Sequence, residues 1–163
     1  INGGYIMPAW YDIRQSDLGI EHDRDGIERS TRAIRMLIEQ EVMHGIRPGR
    51  IILAGFSQGG AMALHVGLSQ SEAIGGIIPL SAYLLLPEQS DRFTPASRST
   101  PIFMAHGIDD PVVPYALGDA SRRRLEALGY DLEWHSYPMQ HSVCPQEIAD
   151  IGRWINRRLD EAA

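Results

Sequence analysis

The sequence predicts an α/β protein in which a mostly parallel sheet carries helices on both faces. Three observations support that class. Short apolar runs alternate with longer segments of helical period along the chain. Residues 51–54 are continuously apolar, the pattern of a strand buried on both faces, as in a parallel sheet. A Gly-x-Ser-x-Gly stretch at 55–59 joins that run to a helical one, so strand, sharp turn and helix follow directly on one another.

Residues 1–20 lack a clear period. Met7, Pro8, Trp10 and Tyr11 form an aromatic, loop-like segment there, with Tyr11 expected on a surface loop and Met7 and Trp10 as candidates for a pocket wall. Residues 25–44 read as a helix. Asp25 serves as N-cap with Glu28 three places on, Ile27, Ile34, Leu37, Ile38 and Val42 form its apolar stripe, and Gly45 ends it. Glu21, His22 and Asp23 read as a solvated charged loop in preference to a metal site. The elbow helix covers 58–70 and leads to a second apolar strand at 74–80. Leu84, Leu85 and Leu86 then stand in a loop, either as core or as the lining of an apolar pocket; with Met7 and Trp10 they are the expected walls of an acyl site. Residues 88–100 are a polar connecting loop. A third strand at 101–105, a helix at 115–128 closed by Gly129, and an edge strand at 132–137 follow. Pro145 suits the first turn of a last helix whose stripe is Ile148, Ile151, Ile155 and Leu159.

The 163 residues make one domain, long enough to bury about 70% of the unfolded surface. A net charge of −6 without a basic run argues against nucleic acid as a partner. The apolar stretch at 73–86 is broken by Gly, Ser and Pro and is too short to span a bilayer, so no membrane insertion is expected. One cysteine, Cys144, rules out an internal disulfide and points to a reducing, cytoplasmic setting.

In an open parallel sheet, ligands bind beyond the carboxyl ends of the strands. Ser57, the pair Asp109/Asp110 and His141 all fall just past predicted strand ends. A serine hydroxyl needs a base to act as a nucleophile, an imidazole titrates near neutrality, and a carboxylate fixes its tautomer. The order Ser, Asp, His is that of the α/β-hydrolase arrangement. Spacing does not choose between Asp109 and Asp110. His44 reads as a helix-end cap, His65 and His135 lie inside regular elements, and His106 suits a structural hydrogen bond.

The motifs Gly55-Phe56-Ser57-Gln58-Gly59-Gly60, His106-Gly107-x-x-Asp110-Pro111-Val112-Val113-Pro114 and Tyr137-Pro138-Met139-x-His141 resemble the phospholipase/carboxylesterase family, which includes acyl-protein thioesterases. Asn2-Gly3-Gly4 and the segment 7–12 resemble its bacterial carboxylesterases. The resemblance implies an α/β-hydrolase fold with Ser57 as nucleophile, Asp110 as triad acid and His141 as base. It implies the Gln58 backbone N–H as an oxyanion donor, no metal or other cofactor, a small-molecule ester, thioester or lysophospholipid as substrate, and a homodimer as a candidate state. The family's His-Gly-Leu-Gly-like turn and opening strands have no counterpart before Ser57. The expectation is therefore a single domain over 1–163 lacking those N-terminal strands, with an extension in the native protein. Two functions compete at this point: a serine carboxylesterase for short-to-medium acyl chains, and a catalytically impaired hydrolase-like binding module.

Overall fold

The computed structural model describes residues 8–16 and 19–161. Four parallel strands form the central sheet in the order β3-β4-β5-β6: β3 (Ile52–Phe56), β4 (Gly76–Leu80), β5 (Ile102–Gly107) and β6 (Leu132–Tyr137). Pairing is in simple register, Ile52 facing Gly76 and Ile102 facing Leu132. Ahead of the sheet, β1 (Ile13–Ser16) and β2 (Gly19–His22) form a separate antiparallel pair. Sequence periodicity assigns no strand here, because each strand is four residues long and carries no apolar alternation.

Successive strand residues point to opposite faces, and the core divides accordingly. Ile77, Ile102 and Met104 pack with Leu64 of α2 (Gln58–Gly67), with Leu68 just past its end and with Leu125 of α3 (Tyr115–Ala127). Their neighbours Ile78, Phe103 and Ala105 pack with Trp154 of α4 (Pro145–Glu161) on the other face. α1 (Arg24–Met43) lies outside α2, through Ile27 and Ile38 against Met62 and Val66.

Several expectations are corrected. Among the described residues β3 is an edge strand and is not buried on both faces: there it pairs with β4 alone, and Ala54 and Phe56 are exposed. Asp23, not Asp25, caps α1: its Oδ1 accepts the Gly26 N–H at 2.9 Å, and Asp25 falls in the first turn, where its charge suits the helix dipole. Leu37 and Val42 leave the α1 stripe for solvent, as does Ile148 on α4, whose anchor is the fully buried Trp154. A period assigns a face but does not say how wide the covering layer is, so the flanks of both stripes remain uncovered. Tyr11 is buried, with its hydroxyl 3.3 Å from that of Tyr83, and burial pushes that phenol's pKa well up. Residues 88–100 fold into two short 3₁₀ turns, Pro87–Arg92 and Ala96–Ser99. Among the described residues no helix is long and apolar enough to cross a membrane.

Candidate active site

The elbow is built by steric compaction. Ser57 has φ 55° and ψ −120°, a strained conformation for a residue with a Cβ, between the end of β3 and the start of α2. Its N–H donates to the Leu80 carbonyl of the neighbouring strand at 2.8 Å, and its own carbonyl accepts from Ala61 at 3.0 Å. The turn closes only because Gly55 has no side chain, since a Cβ there would collide with the Gly59 and Gly60 backbone. Gly60 is equally constrained, its missing Cβ lying 2.7 Å from the Gly55 oxygen. Gly59 is not, for a Cβ there would meet only the Trp10 indole nitrogen, at 3.5 Å. The close approach thus belongs to Gly55 and Gly60; Gly55 and Gly59 are merely the pair the motif displays.

Gln58 opens α2. Its side-chain amide donates to the Tyr11 carbonyl at 3.1 Å, which ties the elbow to the segment before β1. Its backbone N–H is one of the first-turn donors that a helix leaves free, at the positive end of the dipole.

Hydrogen bonds, by contrast, bring Asp110 and His141 together. The loops after β5 and β6 are laced together: Ile108 N donates to Tyr137 O at 2.9 Å and Asp109 N to Met139 O at 3.1 Å. Gly107 lets the Met139 and Gln140 carbonyls lie directly on its Cα, where any Cβ would stand. This lacing exposes Asp109 and buries Asp110. Asp110 Oδ1 accepts the Val112 and Val113 N–H groups at 2.8 and 2.9 Å, and Oδ2 accepts from His141 Nδ1 at 2.7 Å. Burial works to raise the Asp110 pKa, but the bonds from His141, Val113 and Val112 together outweigh it and hold the carboxyl below its ordinary value. A carboxylate on Nδ1 places the other imidazole nitrogen, Nε2, as the free acceptor.

His106 is the near neighbour that does not join. Its Nε2 lies 2.9 Å from the Val113 carbonyl, so that nitrogen carries the proton and donates it there. The ring is fully buried, and desolvation, ahead of every other influence, lowers its pKa. Its 3.6 Å approach to Asp110 Oδ2 is therefore a contact with a neutral imidazole and not an ion pair. His135 stacks on Phe103 with ring centroids 4.6 Å apart, inside the sheet layer.

Phe56 is the site residue that sequence reasoning misses. Its ring lies against His141, with centroids 4.6 Å apart, and so links the residue before Ser57 to that imidazole. The available signal was an aromatic at the variable position of Gly-x-Ser, at the open end of a strand. Among the described residues Ser57 Oγ makes no hydrogen bond; catalytic hydrogen bonds commonly tighten only with substrate in place.

The expected acyl-pocket residues separate. Trp10 is half-exposed beside the start of α2. Met7 lies outside the described residues. Leu84, Leu85 and Leu86 are buried: Leu84 packs with the α2/α3 core and Leu85 and Leu86 with the α1/α2 core. Leu85 and Leu86 also line a cavity, but Ser57, Asp110 and His141 do not border it. A leucine run after a strand end reads as pocket lining because an apolar loop calls for a reason; here the reason is core packing, Leu85 and Leu86 under α1 and Leu84 toward α3. No cluster of three metal-ligating side chains occurs among the described residues.

A family model described as Phospholipase/Carboxylesterase matches residues 1–159. The chain is 42% identical to acyl-protein thioesterase 1 of Gibberella zeae, over 98% of this chain and 72% of that one. It is 37% identical to acyl-protein thioesterase 1 of Saccharomyces cerevisiae, over 97% and 72%. Among solved structures, SOBER1 of Arabidopsis thaliana superposes with a TM-score of 0.88 at 30% identity, covering 97% of this chain and 77% of that one.

Proposed function

This chain belongs to the phospholipase/carboxylesterase family, and from that membership we propose how its residues carry out the reaction. It is a carboxylic ester hydrolase of the serine esterase/thioesterase type. Ser57 Oγ attacks the acyl carbonyl while His141 Nε2 takes the hydroxyl proton. Asp110 holds His141 by Nδ1 and offsets the imidazolium charge as it forms. The Gln58 N–H and the α2 dipole receive the oxyanion. Collapse of the tetrahedral intermediate expels the alcohol or thiol, which leaves with the proton from Nε2. Water, activated by the same imidazole, then releases the carboxylic acid and restores Ser57. The substrates are short-to-medium acyl esters, with thioesters in the same range.

The observation that carries this assignment is the 2.7 Å bond between His141 and Asp110, with Phe56 bridging His141 to the elbow. A binding-only module is not favoured, since the relatives carry enzyme names over nearly the whole chain. Turnover of p-nitrophenyl butyrate by Ser57→Ala tests the assignment. The expected loss is on the order of 10⁶ in kcat, and wild-type turnover in a folded variant would exclude Ser57 as nucleophile.

A further inference from the structure

We propose that the cavity between α1, α2 and the 85–93 segment binds a small aliphatic carboxylate, of about hexanoate to octanoate size, at a site separate from Ser57. The proposal does not depend on how the triad works.

The cavity has a volume of about 290 Å³. At the ~30 Å³ a water-sized group occupies in a condensed phase, that is room for about ten non-hydrogen atoms. Its apolar side is Leu85, Leu86 and Phe93. Its polar side comes from two helix faces at regular spacing, Glu28, Thr31 and Arg35 on α1 and His65 and Ser69 on α2, with Gln89 and Arg92 opposite. His65 stands eight residues past Ser57 on the same helix, roughly 12 Å along the axis at about 1.5 Å per residue.

Unmet hydrogen-bonding capacity marks this as a binding site. The two hydroxyls are already engaged inside the protein: Thr31 Oγ1 donates to Ile27 O, and Ser69 Oγ to the carbonyls of α2. Three other groups can still donate to an anion; Gln89 Oε1, buried without a partner, is an acceptor and faces the ligand only through its neighbouring NH₂. The His65 ring, 9% exposed, makes no hydrogen bond among the described residues. Arg35 is held by Ser69 through Nη2 alone, and no carboxylate among the described residues forms an ion pair with Arg35 or Arg92. Buried polar groups are ordinarily paired, and a pocket with an apolar wall and a few convergent polar groups is the usual form of a small-molecule site.

Charge selects the ligand. Two guanidinium groups and one carboxylate, Glu28, leave one net positive charge, which fits a monoanion better than a phosphate dianion. His65 adds a hydrogen-bonding edge and not a cation: desolvation first and then Arg92 lower its pKa, Glu28 pulls the other way, and Arg35 adds a smaller lowering. The apolar wall takes the alkyl chain and Arg35 and Arg92 the head group.

The test follows the ring resonances of the six histidines in isotopically labelled protein during titration with octanoate, His65 being assigned by its loss in His65→Gln. The expected result is a saturable shift of the His65 resonance, whatever happens at His141. Arg92→Met, an exposed substitution, should raise the dissociation constant about tenfold at unchanged ester turnover, and Arg35→Met should do the same independently. Inorganic phosphate at equal concentration should leave His65 unmoved. A still His65 while octanoate shifts His141, an unchanged constant in both arginine variants, or tighter binding of phosphate would each overturn the proposal.

Discussion

Asp110 and Glu147 are both buried carboxyl groups, they flank the loop that carries His141, and they are held in opposite ways. Asp110 accepts three hydrogen bonds and is kept below its ordinary pKa. Glu147, fully buried in the first turn of α4, accepts none at either oxygen among the described residues, and burial pushes its pKa up to about 7. Burial acts the same way on both, so the donors decide the charge. Three donors hold Asp110 below its ordinary value, whereas at Glu147 the pull of the Cys144 backbone is too weak to offset burial.

Removing the charge where it is supported should have the largest effect. Asp110→Asn keeps the shape but offers His141 an amide, which favours the wrong imidazole tautomer. A loss of about 10⁴ in kcat is expected, read from p-nitrophenyl butyrate hydrolysis in parallel with circular dichroism. A loss under tenfold would mean that Asp110 only braces its loop.

Acid titration of stability separates the two carboxyls by sign. Asp110, with its pKa lowered, contributes stability that is present above its unfolded value near 3.8 and is lost as pH falls through the folded one. Glu147, with its pKa raised from 4.5 to about 7, contributes in the reverse sense: stability is fully present below 4.5 and is lost as pH rises through 7. Urea melts between pH 5 and 8 should show a decline of at most roughly 3 kcal/mol from this group, and Glu147→Gln should flatten it without lowering turnover at pH 7. An unchanged slope in the variant would show that another group is responsible.

A smaller effect tests the packing on the base. Phe56→Leu removes the ring from His141 and should cost about 0.5–1.5 kcal/mol of transition-state stabilisation, roughly two- to thirteenfold in kcat/KM. No change would make the stacking incidental.

The elbow shows what the sequence makes legible. Strand, turn and helix around Ser57 can be read because a steric requirement leaves a residue-type signature: only glycine can occupy position 55. Even so, the motif names Gly59 where the structure needs Gly60, since the pattern records frequency and not contact. Gly55→Ala should therefore abolish soluble folding while Gly59→Ala survives. The four parallel strands and four helices are legible for a related reason, their apolar periods. The β1–β2 pair is not, because its strands are four residues each and their sequences carry no apolar alternation. The choice of Asp110 over Asp109 is also invisible in spacing. It depends on the lacing of two loops from different strands, which buries one carboxyl and exposes its neighbour. Leu84, Leu85 and Leu86 read equally well as core or pocket until the position of α1 is known.

The central claim, a serine made nucleophilic by His141, is tested most directly by covalent capture. The folded protein would be treated with a fluorophosphonate and the adduct located by peptide mass mapping. The account predicts one adduct on Ser57, absent in Ser57→Ala and formed far more slowly in His141→Ala. An unlabelled folded protein, an adduct on another residue, or equal labelling without His141 would contradict it.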